Sequence, residues 1–333
     1  MFAETPYKFA KPQYKCRRIG DAALMHMLVD GICMCCLYLL LNASAVADVI
    51  GTFLTYNILA FMSQPLTGFF ADIIKQRHWM LIASVAFMSV GVLLTSLSLS
   101  GFMSVVGVWL VAVILGVGNS LFHVWGGKQT VLVAGNDMRA IGVFVSTGAF
   151  GLSLGYVFCS WPLVYAFLLA FCLLSMDYLF VDGRCGGAGH SSVENSKWHY
   201  GALAAAAAVV AIMAVVLMRS YIGEQFSGGI VKNNSVILMV GAVAMIGKMA
   251  GGWLAKSVGV VAALTIAVVG VAVCWMMRGN GNAVLLAGLF LVNLTMPVTL
   301  YLANAVMRGW EGLAFGLLAA VLLPGSLLAQ GLL

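Results

Sequence analysis

Gln64-Pro65-Leu66-Thr67-Gly68-Phe69-Phe70-Ala71-Asp72 closes a long apolar run with an acid, and two bases, Lys75 and Arg77, follow at once. The same shape returns 184 positions later. Gly252-Trp253-Leu254-Ala255-Lys256, preceded by Met249-Ala250-Gly251, again ends an apolar run on a charge. Paired small residues let two membrane helices approach closely, and the charge behind them marks the water boundary. Two copies of Gly-x-x-x-charge at equivalent helix ends predict a chain made of two similar halves.

The surroundings of these stretches set the solvent. The chain is 62% hydrophobic and 8% charged, with a mean hydropathy of +1.04. A water-soluble protein of 333 residues has no means of hiding that much apolar surface, so the predicted solvent is a lipid bilayer. The apolar runs are continuous over about 20 residues, as helices crossing hydrocarbon require, and do not alternate in the ten-residue segments of a barrel. Hydrocarbon offers no partner to a free backbone group, so each segment must pair its own. The expectation is an all-α polytopic membrane protein. The first 19 residues are polar and basic, with no apolar core of a cleavable signal.

Eleven spans are readable, at 20–41, 47–70, 79–98, 104–126, 140–160, 162–181, 199–221, 235–255, 258–277, 282–306 and 312–332. With the N-terminus in the cytoplasm, this count leaves only Arg219, Lys232 and Arg278 of the 17 basic residues outside and places the other 14 inside. Shifting one span would scramble that asymmetry, which follows the positive-inside rule. The N-terminus is therefore expected in the cytoplasm, in a multi-pass protein of the cell membrane. The net charge of +6 belongs to these loops and implies no nucleic-acid partner. The Gly- and Ser-rich stretch 183–198 reads as a cytoplasmic linker between a six-helix bundle, 1–182, and a second bundle, 199–333, with five readable helices. A twelfth helix reads as missing.

The spans carry few groups capable of chemistry. His26 and Asp30 stand four apart in the first span and share a helix face. Asp30 falls near mid-span, where a charge costs about 2.5–3.5 kcal/mol to insert. Such a carboxylate faces a partner or a wet cavity, or holds a proton, and the pair reads as a proton-coupling site set against a purely structural hydrogen bond. Asn119 and His123 repeat the four-residue spacing in the fourth span, with Lys128 toward its inner end. Gln64, before the kinking Pro65, Arg219, and Glu224 just beyond the seventh span complete the candidate substrate path. For Asn119 and Gln64 the competing reading is helix-to-helix or helix-kink bonding, and for Arg219 an outer-edge anchor. Lys248 reads as snorkelling inward. Asn293, Pro297 and Asn304 read as bending the tenth span.

Glycines 142, 148, 151 and 155 give the fifth span a small-residue face, expected where the bundles meet. Cys33, Cys35 and Cys36 crowd the first span, but helical spacing does not converge them on one metal, and they read as small fillers. No catalytic triad, metal motif or phosphate loop stands out, so no cofactor is expected. The expected partners are a small-molecule substrate, protons and the bilayer.

These residues resemble a known family. Gly68-x-x-x-Asp72 with Lys75 and Arg77 resembles the loop motif between helices two and three of major facilitator superfamily transporters, and Gly252-x-x-x-Lys256 resembles its echo in the second half. Together they form the candidate conformational gate. More narrowly, His26-x-x-x-Asp30, Ser63-Gln64-Pro65-Leu66-x-Gly68, Gly118-Asn119-Ser120-Leu121-Phe122-His123 and Leu217-Met218-Arg219-Ser220 resemble the fosmidomycin-resistance branch. Val124-Trp125 follows the histidine where that branch carries a proline and an acid. The resemblance implies two pseudo-symmetric bundles working by alternating access. It also implies proton-driven efflux of a small, anionic or other, drug or metabolite, with a proton-independent facilitator or importer, or a non-transporting membrane scaffold or sensor of the same fold, as the alternative readings.

Overall fold

The computed structural model of the protein describes residues 12–43, 46–74, 76, 78–100, 105–184, 201–230 and 233–332. Lys75, Arg77, most of the 183–198 linker, Lys232 and Leu333 lie outside them. Every regular element among the described residues is helical. The first half comprises α1 (Pro12–Ala43), α2 (Val46–Asn57), α3 (Gln64–Ile73), α4 (Trp79–Leu99), α5 (Val105–Ala134), α6 (Met138–Val157) and α7 (Trp161–Arg184). The second comprises α8 (Ala202–Gly228), α9 (Asn234–Val258), α10 (Val260–Met276), α11 (Asn282–Asn293), α12 (Thr295–Val306), α13 (Glu311–Ala320) and α14 (Leu322–Ala329).

Nine of the described helical stretches are long and apolar enough to cross a membrane, counting α11–α12 and α13–α14 once each. The broken α2–α3 segment and the shorter α10 bring the passes to eleven, in register with the hydropathy reading. The protein is a multi-pass membrane protein, and it exposes many large apolar residues, among them Leu93, Leu169, Met176, Val210 and Val268.

Three passes are broken, each beside a proline. A proline lacks the N–H that would bond the carbonyl four residues back, and its ring crowds that carbonyl. Pro65 follows a π-turn at Ile58–Met62, Pro297 follows the break at Leu294, and Pro324 follows the break at Val321. Side chains take up acceptors left at these breaks. Gln64 Nε2 donates to Ala60 O at 2.7 Å, Asn293 Nδ2 to Leu289 O at 2.8 Å, and Thr295 Oγ1 to Val292 O at 2.8 Å. Asn304 Nδ2 likewise donates to Leu300 O.

The face of the molecule at which α1 begins is called proximal here. The ends of α3, α5 and α7 and the start of α13 gather on it. Lys15 Nζ donates to Ala134 O, and Arg18 Nη2 lies 2.6 Å from Asp182 Oδ1. The two bundles meet chiefly through two helix pairs, α6 on α9 and α3 on α13, with α12 on α6 and α13 on α5 beside them. Position 68 shows why a small residue stands there, since any Cβ on it would run into the backbone of Gly312 and Leu313.

The small-residue face of α6 divides between two neighbours. Gly142 lies against the α9 backbone at Lys248 and Met249, as expected for a bundle junction. Gly151 and Gly155 instead abut the α1 backbone at Met27 and Gly31, inside the first bundle. One helix is thus clasped on two sides, which needs small residues on both.

Candidate functional site

Asp30 sits at the centre of the first bundle and is 8% exposed. Helix α1 places His26 one turn before it, and α5 brings Asn119 and His123 in from the side. Asn119 Nδ2 donates to Asp30 Oδ1 at 3.1 Å. His26 Nε2 lies 3.4 Å from Oδ2, and His123 Nε2 lies 3.4 Å from Oδ1. The two imidazoles meet edge to face with centroids 4.5 Å apart, and Phe144 of α6 stacks on His26.

The far nitrogens of both rings are fixed. His26 Nδ1 donates to Phe144 O at 2.7 Å, and His123 Nδ1 donates to Asn119 O at 2.9 Å. A carbonyl only accepts, so both Nδ1 atoms carry hydrogen. In a neutral ring, Nε2 then presents a lone pair to Asp30. A carboxylate flanked by two lone-pair nitrogens repels them, so this arrangement calls for a positive charge among the three groups. Gly148 of α6 forms the remaining wall. A Cβ there would occupy the space between Asp30 Oδ2 and His26 Nε2.

The second bundle offers cations toward this centre. Arg219 of α8 is 8% exposed, and its Nε has no hydrogen-bond partner. Lys248 of α9 lies within electrostatic reach of both Arg219 and Asp30. Glu224, one turn beyond Arg219, lies apart from this centre and accepts from Ser326 Oγ of α14 at 3.1 Å. Gln64 is fully buried in the α2–α3 kink and bonds its own helix.

The described residues of the first motif, Gly68 and Asp72, occupy the proximal face. Asp72, at the end of α3, accepts from Gly312 N at 3.0 Å and Leu313 N at 2.8 Å. These are N–H groups without intrahelical acceptors in the first turn of α13, where the helix dipole is positive. Lys128 Nζ of α5 lies 3.0 Å from Asp72 Oδ1 and donates to Ala71 O at 2.6 Å. Lys128 is therefore a partner of Asp72, a pairing that its sequence position toward a helix end did not show.

The echo in the second half uses the same junction with its charges exchanged. Gly252 of α9 abuts the α6 backbone at Met138 and Arg139, and Lys256 one turn on is exposed. The acid here is Asp137, the N-cap of α6 itself, which accepts from Arg139 N. Hydrogen bonds from the Arg139 guanidinium hold the Asp137 carboxyl below the usual range, and the Lys256 charge adds to this. At one junction the acid reaches across to the helix N-terminus, and at the other the helix carries its own. Lysine at position 256 follows from that difference.

Sequence reading missed a second buried cluster near the proximal face. Asp182 of α7 pairs with Arg18 and accepts from His78 Nε2 at 2.9 Å, and Trp125 Nε1 lies 3.4 Å from His78 Nδ1. Trp125 is 2% exposed and packs on Tyr178. It fills a space inside the first bundle.

Solved structures settle the architecture. The Escherichia coli fucose:proton symporter FucP, in a variant form, superposes with a TM-score of 0.63 at 11% identity, over 95% of this chain and 90% of that one. The proton:xylose symporter XylE gives 0.67 at 14% identity, over 96% and 88%. The human organic anion transporter MFSD10 (TETRAN) gives 0.63 at 16% identity, over 97% and 95%. The chain has the major facilitator fold. No protein-family model matches the sequence, and no curated protein matches it. At such identities the likeness is one of fold, with the Asp30 centre lying within the first of the two bundles of that fold.

Proposed function

We propose that the protein is a secondary transporter that moves a small molecule by alternating access, with Asp30 and His26 as its proton-coupling site. One observation carries this reading. A carboxylate buried at mid-span is held between two imidazoles and an amide, in an arrangement that needs an added positive charge. Insertion of such a group is costly, and intramembrane acids mark ion and substrate pathways, proton relays among them. His123 joins the coupling site, and Asn119 orients the carboxylate.

The substrate path runs between bundles 1–182 and 199–333, joined by the cytoplasmic linker 183–198. Arg219 and Lys248 give the second bundle a positive face, which suits a small anionic drug or metabolite. The branch motifs around Asp30, Gln64, Asn119, His123 and Arg219 favour export across the cell membrane with the N-terminus in the cytoplasm. Glu224 and Gln64 support the path from its outer end and its kink. Gly68, Asp72, Lys75, Arg77, Gly252 and Lys256 form the gate on which the bundles rock. A second reading, symport, is favoured by the fold neighbours named as proton symporters.

Purified protein in liposomes loaded with a pH-sensitive dye tests the proposal. Addition of a panel of small anions and sugars should evoke proton movement for at least one solute, outward or inward according to the mode. Net downhill solute uptake without any accompanying proton movement would leave a facilitator and remove the coupling role of Asp30.

A further inference from the structure

We propose that His26, Asp30 and His123 form a binding site for one divalent first-row transition-metal ion, in competition with protons. The three ligand atoms lie within 4.8 Å of one another, and all three residues are buried. Each Nε2 stands 3.4 Å from a carboxylate oxygen. That is long for a hydrogen bond. His26 faces Oδ2 and His123 faces Oδ1, and each separation is close to the roughly 3.4 Å between neighbouring ligands of an ion bound at about 2.0–2.1 Å in tetrahedral geometry, so the carboxylate would bridge the two rings through both oxygens.

The second shell agrees. Metal-bound histidines present one nitrogen to the ion while the other donates to a carbonyl or carboxylate, which fixes the tautomer. Both rings here do so, through Phe144 O and Asn119 O. Asn119 also holds Asp30 in place. Gly148 keeps the wall of the cage open, since a Cβ there would collide with Asp30 Oδ2 and His26 Nε2. Two imidazoles and one carboxylate suit zinc, iron, cobalt or nickel better than calcium or magnesium, which favour oxygen alone. The site rests on the cage geometry and stands whether or not the transporter is proton-driven.

Tag-free full-length protein in detergent, equilibrated with Co2+, tests it by equilibrium dialysis and by visible absorption of the bound ion. One Co2+ per chain is expected, with absorption bands of nitrogen and oxygen ligation. His123→Gln and Gly148→Ala should each weaken binding by more than about tenfold. Mg2+ should not displace Co2+, whereas Zn2+ should. Circular dichroism and thermal melting of each variant identify those that keep the fold, and Gly148→Ala removes no ligand. Absence of stoichiometric Co2+ binding by the parent protein overturns the proposal. Equal binding by folded His123→Gln and Gly148→Ala overturns it too, by placing the ion elsewhere. Loss of solute transport with Co2+ binding intact would count against the transport reading alone.

Discussion

Asp30 Oδ1 lies 3.4 Å from His123 Nε2, a contact that joins the first pass to the fourth across the middle of the first bundle. His26 holds the other carboxylate oxygen at the same distance. The carboxylate is therefore shared, and its charge state depends on two rings carried by different helices. A change on either helix that alters this contact alters the charge of the centre.

Asp30→Asn fixes the centre without its negative charge while keeping its shape. Solute movement driven by a proton gradient should fall to background in liposomes, and exchange of labelled for unlabelled solute should persist. Gradient-driven uptake at the parent rate by folded Asp30→Asn protein would remove Asp30 from coupling.

The two histidines should differ little in effect, because each faces its own oxygen at 3.4 Å. His26→Gln and His123→Gln should each shift the pH dependence of transport, with His123→Gln at least as large as His26→Gln. Rate profiles between pH 5 and 9, about the range in which imidazole changes charge, measure this. An unshifted profile for His123→Gln would reduce that ring to packing.

On the proximal face, Asp72→Ala removes two hydrogen bonds to the α13 N-terminus and leaves Lys128 without its acid. A charge-assisted hydrogen bond contributes about 1.5–3 kcal/mol, so the melting temperature in detergent should drop. The distance between spin labels on α3 and α13 should broaden. Adding Lys128→Met should recover part of the loss, since an unpaired buried charge is the costlier state. A double variant no better than Asp72→Ala would mean that Lys128 is satisfied by Ala71 O alone.

Arg219→Gln should raise KM for an anionic solute at least about tenfold, the scale of one lost charge-assisted contact, with a smaller change in maximal rate. Neutral solutes should be unaffected. Concentration dependence of counterflow separates these, and equal losses for both classes would make Arg219 a structural residue.

Single cysteines placed in the 183–198 linker should resist an impermeant thiol reagent in intact cells and react in inverted vesicles. Labelling from outside would reverse the proposed topology.

The eleven passes, their helical nature and the two junction motifs were legible in the sequence. Hydropathy and the four-residue spacing of His26 and Asp30 are local properties that survive any packing. The pairing of Asp30 with Asn119, 89 residues away, was not legible, nor was that of Asp72 with Gly312, 240 residues away. Pro65 and Pro297 showed where two of the three helices would break, and the kink-bonding reading of Gln64 was already open in the sequence; the structure places its Nε2 on Ala60 O. Lipid solvates an apolar helix equally well at many rotations about its axis, so composition fixes that a segment crosses and leaves open which face meets which neighbour. Close backbone approach at Gly68, Gly142, Gly151 and Gly252 chooses those faces. Only once α6 is clasped between α1 and α9, and α5 lies against α1, do one acid and two histidines acquire a common centre.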